Sequence, residues 1–158
     1  MVEFESVIVT VTIRIHQEGN NLNTLNLFIS HSWAYGDAYD RLVNLLDSRG
    51  YFSFKNYSVP KSNPIAGARS DKALSEAIET KVRLSSVVII MAGKYATYSK
   101  WINKEIEIAK RLNKPIVAVK PFGATQISSV VRGAADSEAA WNSESIVKAI
   151  REVTRIRR

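Results

Sequence analysis

The feature that most constrains this chain is the regular alternation, from residue 25 onward, of short apolar runs with longer amphipathic patterns. Val87–Met91 is a continuous apolar run, which is typical of a strand covered on both faces. Comparable runs occur at Leu25–Ile29 and Ile116–Val119, and Tyr51–Tyr57 is an aromatic one. Alternating strands and helices predict a mostly parallel sheet with helices on both of its faces.

Apolar residues at helical spacing predict the helices that connect these strands. One such stripe lies within 39–46 and another within 74–82. Ser99 is placed to cap a third helix over 100–112, because serine side chains accept hydrogen bonds from the first helical amides. A last helix is expected to begin near residues 142–143 and to follow the last strand.

The fifth strand has the weakest pattern, since 134–141 is polar but stands where a strand is due. Five strands predict a three-layer, flavodoxin-like α/β fold with strand order 2-1-3-4-5. The ligand crevice of that fold lies beyond the carboxyl ends of strands 1 and 3. We therefore expect Ser30, His31 and Trp33 to share one site with the Gly93–Ser99 loop.

Residues 1–24 differ from the main domain, which we assign to 25–158. Val7–His16 alternates β-branched and polar residues, a pattern that predicts a half-buried strand. This segment is either an added edge strand or an extension outside the domain. Two explanations for it are a translation start upstream of the native one and a contact between copies of the chain. Glu3 and Glu5 stand where a secretory signal would carry positive charge, so no such signal is expected.

Composition excludes several functional classes. The chain has no cysteine and two histidines, so zinc–thiolate, disulfide, cysteine-nucleophile and multi-histidine metal chemistry are not expected. No apolar run approaches the roughly 18 residues of a membrane span, and the lack of cysteine fits the cytoplasm. The net charge is +7 (22 − 15), but no basic–aromatic motif accompanies the terminal arginines, so nucleic acid is not an expected partner.

One carboxylate stands apart on the third helix. Glu105 lies one turn after Trp101 on a partly apolar face, and its i+4 neighbour is Ala109, so no salt bridge along the helix is available. By contrast, Arg111 lies at the i+4 position of Glu107, and this spacing predicts an ordinary solvated ion pair between the two side chains. A carboxylate at an apolar boundary often has a raised pKa and marks a functional site. The alternative is that Glu105 lies at the helix edge and reaches water.

Other sites are conceivable at the end of the first strand. A serine hydrolase would use the adjacent Ser30 and His31, but a catalytic triad also needs an orienting acid and an oxyanion hole. These residues could simply hydrogen-bond the loop backbone. A phosphoacceptor receiver is excluded, because it needs an acidic cluster where Ser30-His31-Ser32 stands.

Three separated motifs resemble the TIR superfamily. They are Leu27-Phe-Ile-Ser-His-Ser-Trp33, Tyr57-Ser-Val-Pro60 and Tyr98-Ser-Lys-Trp-Ile-Asn-Lys-Glu105. Among TIR proteins, the chain is most similar to the bacterial TIR-like family that includes the TIR subunit of Thoeris antiphage systems. The resemblance covers about residues 25–152.

The resemblance implies an NAD-cleaving signalling enzyme with Glu105 as the catalytic residue. NAD would be its substrate, and no cofactor or metal is implied. The residues that would shape the nucleotide pocket are Phe28, Ser30, His31, Trp33, Asn56, Tyr57 and Trp101. The product would be ADP-ribose or a cyclic ADP-ribose isomer that signals to an effector. A homo-oligomer is also expected, because TIR activity commonly needs assembly. Many TIR domains are instead non-catalytic interaction modules, so that alternative remains open.

Overall fold

The computed structural model describes residues 24–30, 36–58, 70–93, 96–97 and 99–156. The elements in chain order are β1 (Leu25–Ser30), α1 (Gly36–Asp47), β2 (Phe54–Asn56), α2 (Asp71–Leu84), β3 (Val87–Met91), α3 (Lys100–Arg111), β4 (Ile116–Val119), α4 (Ser129–Ala134), β5 (Ser137–Ala139) and α5 (Ser143–Ile156). The predicted N-terminal strand, His31 and Trp33 lie outside the described residues. In the described part, no helix is both long and apolar enough to cross a membrane.

The five strands form one parallel sheet in the order β2-β1-β3-β4-β5, which confirms the predicted flavodoxin-like topology. Ile29 of β1 pairs with Ile89 of β3, and Ser30 pairs with Ile90. Along the chain, β2 is added on one side of β1 and β3 on the other side, so the direction in which strands are added reverses between β1 and β3. The carboxyl ends of these two strands therefore form the switch point where ligands bind in open α/β sheets.

Helices cover both faces of the sheet, and alternate strand residues enter opposite layers of the core. Leu27 and Ile29 face the layer of α1 and α5. Phe28 faces the other layer, which contains residues of α2, α3 and α4. All five residues of β3 are buried, as its unbroken apolar sequence predicts.

The structure corrects the edges of the sheet. The predicted strand Tyr51–Tyr57 is shortened to Phe54–Asn56, because the N–H of Phe52 donates to the carbonyl of Arg49 in a turn at 3.0 Å. Tyr51 itself is exposed. A short helix that we did not predict, Ser129–Ala134, precedes β5.

Candidate active site

Glu105 is a buried carboxyl on α3, with 7% of its surface exposed. The helix begins where predicted, since the Ser99 hydroxyl accepts from the Ile102 N–H at 3.3 Å. Ile102 and Ala109 are fully buried on the inner side of α3, and this fixes the rotation of the helix about its axis. That rotation turns Glu105 into the protein, so the alternative in which it reaches water from the helix edge is wrong.

Ser30 is the residue that Glu105 contacts. Its hydroxyl donates a short hydrogen bond to Oε2 of Glu105. Ser30 is the last residue of β1 and is 1% exposed. The alternation of side chains along β1 turns Ser30 toward α3. Serine and carboxyl thus meet where the sheet ends, although they are 75 positions apart in sequence.

Burial dominates the electrostatics of Glu105. It raises the pKa of the Glu105 carboxyl from 4.5 to about 8, and the hydrogen bond from Ser30 works in the opposite direction. Removing a carboxylate from water penalises its charged form. At neutral pH the free protein therefore holds Glu105 mainly as the neutral acid.

Ser30→Ala is expected to raise the pKa of Glu105 further, because the variant loses the hydrogen bond that favours the ionised carboxyl. The measurement is a pH titration of the glutamate side-chain carboxyl signals by 13C NMR, in the wild type and the variant. Glu107 is the internal control, since its side chain is 61% exposed on the same helix. An unchanged or lowered Glu105 midpoint in Ser30→Ala would contradict the assigned contact.

Ion pairs tie α3 to the neighbouring helix α2. The guanidinium of Arg111 donates to both carboxylate oxygens of Glu79, at 3.2 and 2.8 Å. The predicted contact between Glu107 and Arg111 is therefore not formed, although, besides Glu79, the charge of Glu107 still contributes to raising the pKa of Arg111. Glu107 instead contacts Lys104 at 3.2 Å. The fork of a guanidinium matches two carboxylate oxygens at once, which explains why Arg111 turns to Glu79.

A second polar cluster lies where β1 and β2 end. The Ser58 hydroxyl accepts from the N–H of Ile29 at 2.8 Å and donates a short bond to Oδ1 of Asn56. The side-chain nitrogen of Asn56 donates to the hydroxyl of Tyr39 at 2.8 Å. Sequence reasoning selected Asn56 but missed Ser58 and assigned Tyr39 only to a helical stripe.

Hydrogen bonds also fix the chain that follows β3. The Thr97 hydroxyl donates to the Ser128 hydroxyl at 2.8 Å. The N–H of Ser128 donates to the carbonyl of Ala92 at 2.9 Å. Part of the predicted Gly93–Ser99 segment is thus held against the start of α4, and its last residue caps α3.

The other predicted pocket residues differ in exposure. Phe28 is 1% exposed and lies in the core, on the same face of β1 as Ser30. Trp101 is half-buried and has the Lys100 ammonium 5.4 Å from its ring centre. Tyr57 is half-buried, and its N–H donates to the carbonyl of Leu27 at 2.8 Å. Contacts of these side chains with a nucleotide remain predictions.

The described residues contain no group of three or more histidine, aspartate or glutamate side chains that could hold a metal ion. What they bring together is one carboxyl with a raised pKa and hydroxyl and amide groups at the neighbouring strand ends. Hydroxyl and amide groups can hydrogen-bond sugar and phosphate oxygens, and a carboxylate can stabilise positive charge that develops on a substrate.

Solved structures with the same fold are only distantly related in sequence. A conserved protein from Enterococcus faecalis V583 matches with a TM-score of 0.59 and 11% identity, over 83% of this chain and 99% of that one. A prokaryotic SEFIR domain matches at 0.50 and 15% identity, over 84% and 97%. The Clostridium botulinum CMP N-glycosidase BcmB matches at 0.50 and 13%, over 78% and 95%.

The sequence itself gives a more specific assignment. No curated protein matches the chain. The profile of the family described as "Thoeris protein ThsB, TIR-like domain" matches residues 28–126, which is more than half of the chain. The matched segment includes Ser30, Asn56 and Glu105. The chain therefore belongs to the Thoeris ThsB TIR-like domain family.

Proposed function

We propose that this protein is an NAD-cleaving signalling enzyme of prokaryotic antiphage defence, with Glu105 as its catalytic residue. The observation that carries the proposal is the buried carboxyl of Glu105, hydrogen-bonded to Ser30 at the switch point of the sheet. Family membership supports a TIR-related role in defence. Cleavage of NAD is the finer step that we add.

The proposed reaction breaks the bond between the nicotinamide nitrogen and C1′ of its ribose. The bonding electrons go to the pyridinium ring, so nicotinamide leaves as a neutral molecule and needs no proton. Positive charge moves to the ribose, as in the oxocarbenium-like transition state of glycoside cleavage. A carboxylate held close to that charge lowers the barrier, because a preorganised anion costs little reorganisation.

The second half of the reaction decides the product. Attack of water on C1′ gives ADP-ribose and releases one proton, whereas attack by an atom of the same nucleotide consumes no water, gives a cyclic ADP-ribose and also releases one proton. Either product could serve as a signal to a separate effector. Assembly into a homo-oligomer is part of the proposal.

In this scheme the positive charge of the substrate acts on the ionisation of Glu105. The nicotinamide ring of NAD is cationic, and a cation near a carboxyl favours the ionised form. Binding of NAD would thus lower the pKa of Glu105 from about 8 and release its proton. Glu105 would then be mainly neutral in the free protein at neutral pH and would ionise more fully when the cationic ring is bound.

The fold is compatible with this class of chemistry. The Clostridium botulinum protein of the same fold is named a CMP N-glycosidase, so an N-glycosidic bond is the target in that protein. The nicotinamide–ribose bond is also N-glycosidic. At 13% identity this likeness concerns the fold, and the residues of this chain carry the rest of the argument.

The test is to incubate purified protein with NAD at high protein concentration, to quantify nicotinamide by chromatography and to identify the nucleotide by mass spectrometry. The proposal predicts nicotinamide together with ADP-ribose or with a cyclic ADP-ribose, which is lighter than ADP-ribose by one water. Nicotinamide release that stays at the level of a buffer control at every protein concentration would contradict it. That result would favour the non-catalytic interaction module.

A further inference from the structure

The side chain of Ser58 replaces a missing backbone hydrogen-bond partner at the carboxyl end of β1, where β2 no longer pairs with it. The N–H of Leu25 donates to the carbonyl of Ser53 at 3.1 Å, and the N–H of Tyr57 donates to the carbonyl of Leu27 at 2.8 Å. If this parallel register continued, the N–H of Ile29 would donate to the carbonyl of Tyr57. Instead it donates to the Ser58 hydroxyl at 2.8 Å. Ser58 thus satisfies a buried donor after the β2 strand has ended.

The same hydroxyl fixes the carboxamide of Asn56. Oδ1 of Asn56 accepts from the hydroxyl and from the N–H of Ser58, the latter at 3.0 Å. With its oxygen held, the amide presents its nitrogen to the Tyr39 hydroxyl. A carboxamide nitrogen has two hydrogens, and Tyr39 accepts one of them. The other can donate to an oxygen of a ligand.

The hydrogen bonds of Ser58 are connected to the candidate catalytic carboxyl of Glu105 through the peptide bond between Ile29 and Ser30. Ile29, which Ser58 holds, is followed directly by Ser30, the donor to Glu105. Ser58 is only 6% exposed, so its bonds form away from water, where loss of a partner is costly. One serine therefore connects the end of β1, the Asn56 amide and the first turns of α1.

We propose that Ser58 is a positioning residue of the NAD-cleaving site and orients Asn56 as a donor to a hydroxyl or phosphate oxygen of the dinucleotide. This inference rests on the proposed function and deepens it. Ser58 itself does not need to contact the substrate. Its effect should appear mainly in KM for NAD, because a misoriented Asn56 weakens binding more than it affects bond cleavage.

The experiment compares nicotinamide release by wild type, Ser58→Ala, Ser58→Thr and Ser85→Ala. Ser85 is the matched control, since it is also a buried serine whose hydroxyl bonds the backbone, in its case the carbonyl of Val82 at 2.7 Å. Ser85 precedes β3, so it lies at the opposite ends of the strands from the candidate site. We expect Ser58→Ala to raise KM about tenfold, the effect of losing one such hydrogen bond, with kcat changed less than about twofold. Threonine at position 58 should restore KM, and Ser85→Ala should leave it unchanged.

A double-variant cycle with Asn56→Ala separates positioning from a general loss of stability. If Ser58 acts through Asn56, the double variant should have the KM of Asn56→Ala alone. Equal KM values for wild type and Ser58→Ala, or additive effects in the cycle, would overturn this inference while leaving the proposed function in place. A wild type that releases no nicotinamide would overturn both.

Discussion

Glu105→Gln is expected to lower the rate of nicotinamide release at least about 100-fold, the scale of removing one preorganised electrostatic group from a transition state. Glutamine has nearly the same shape and retains an oxygen that can accept the hydrogen bond from Ser30. It cannot become an anion, so it cannot stabilise the positive ribose. The measurement is initial-rate kinetics with NAD, together with a circular dichroism spectrum to confirm that the variant folds.

The matched control for this loss is Glu107→Gln. Glu107 lies two residues further along α3, is 61% exposed and pairs with Lys104 at 3.2 Å. Glu107→Gln replaces a carboxyl group on the same helix without changing the buried site, so the rate of nicotinamide release by this variant should stay close to that of the wild type. Similar losses in both variants would contradict the specific role of Glu105 and would indicate a general effect of charge.

Glu105→Gln should also stabilise the protein at alkaline pH. The folded state holds the Glu105 proton with a pKa of about 8, whereas the ordinary value is 4.5. Between these values the unfolded chain releases a proton that the folded chain keeps. This contribution to stability is therefore fully present below about pH 4.5 and is lost as the pH rises through about 8.

Thermal denaturation of wild type and Glu105→Gln at several pH values checks this linkage. Because glutamine does not titrate, the free energy of unfolding of the variant should exceed that of the wild type by on the order of 4 kcal/mol near pH 8 and by little near pH 4.5. That difference corresponds to a Tm increase of about 8–16 °C for a chain of this size. A difference in Tm that does not grow with pH would show that Glu105 is not held in its neutral form.

Local signals explain which parts of the fold could be predicted. The continuous apolar run of β3 and the capping serine of α3 specify their elements almost to the residue, since burial and capping act within a few positions. The edge strand β5 is different, because Ser137 pairs with Val117 of β4 through backbone bonds that do not depend on side-chain type. The short helix at 129–134 has too few residues to display a helical period.

The candidate site, like the fold, was predicted only where a local sequence pattern reports it. Helical spacing singled out Glu105 because periodicity reports which side of a helix faces inward. Strand order placed Ser30 near the same site, but periodicity does not reveal that their side chains meet. Ser58 and Tyr39 were missed because each joins the site through one long-range hydrogen bond, and such bonds leave no repeated pattern in the sequence.

The central claim is that the buried Glu105 performs the chemistry on NAD as a carboxylate. The most direct test is the pH dependence of kcat/KM for NAD, which reports ionisation in the free enzyme. We predict that kcat/KM rises about tenfold per pH unit at low pH and levels off above a midpoint that matches the Glu105 pKa of about 8. A profile that is flat across this range, or that falls as Glu105 ionises, would contradict the claim.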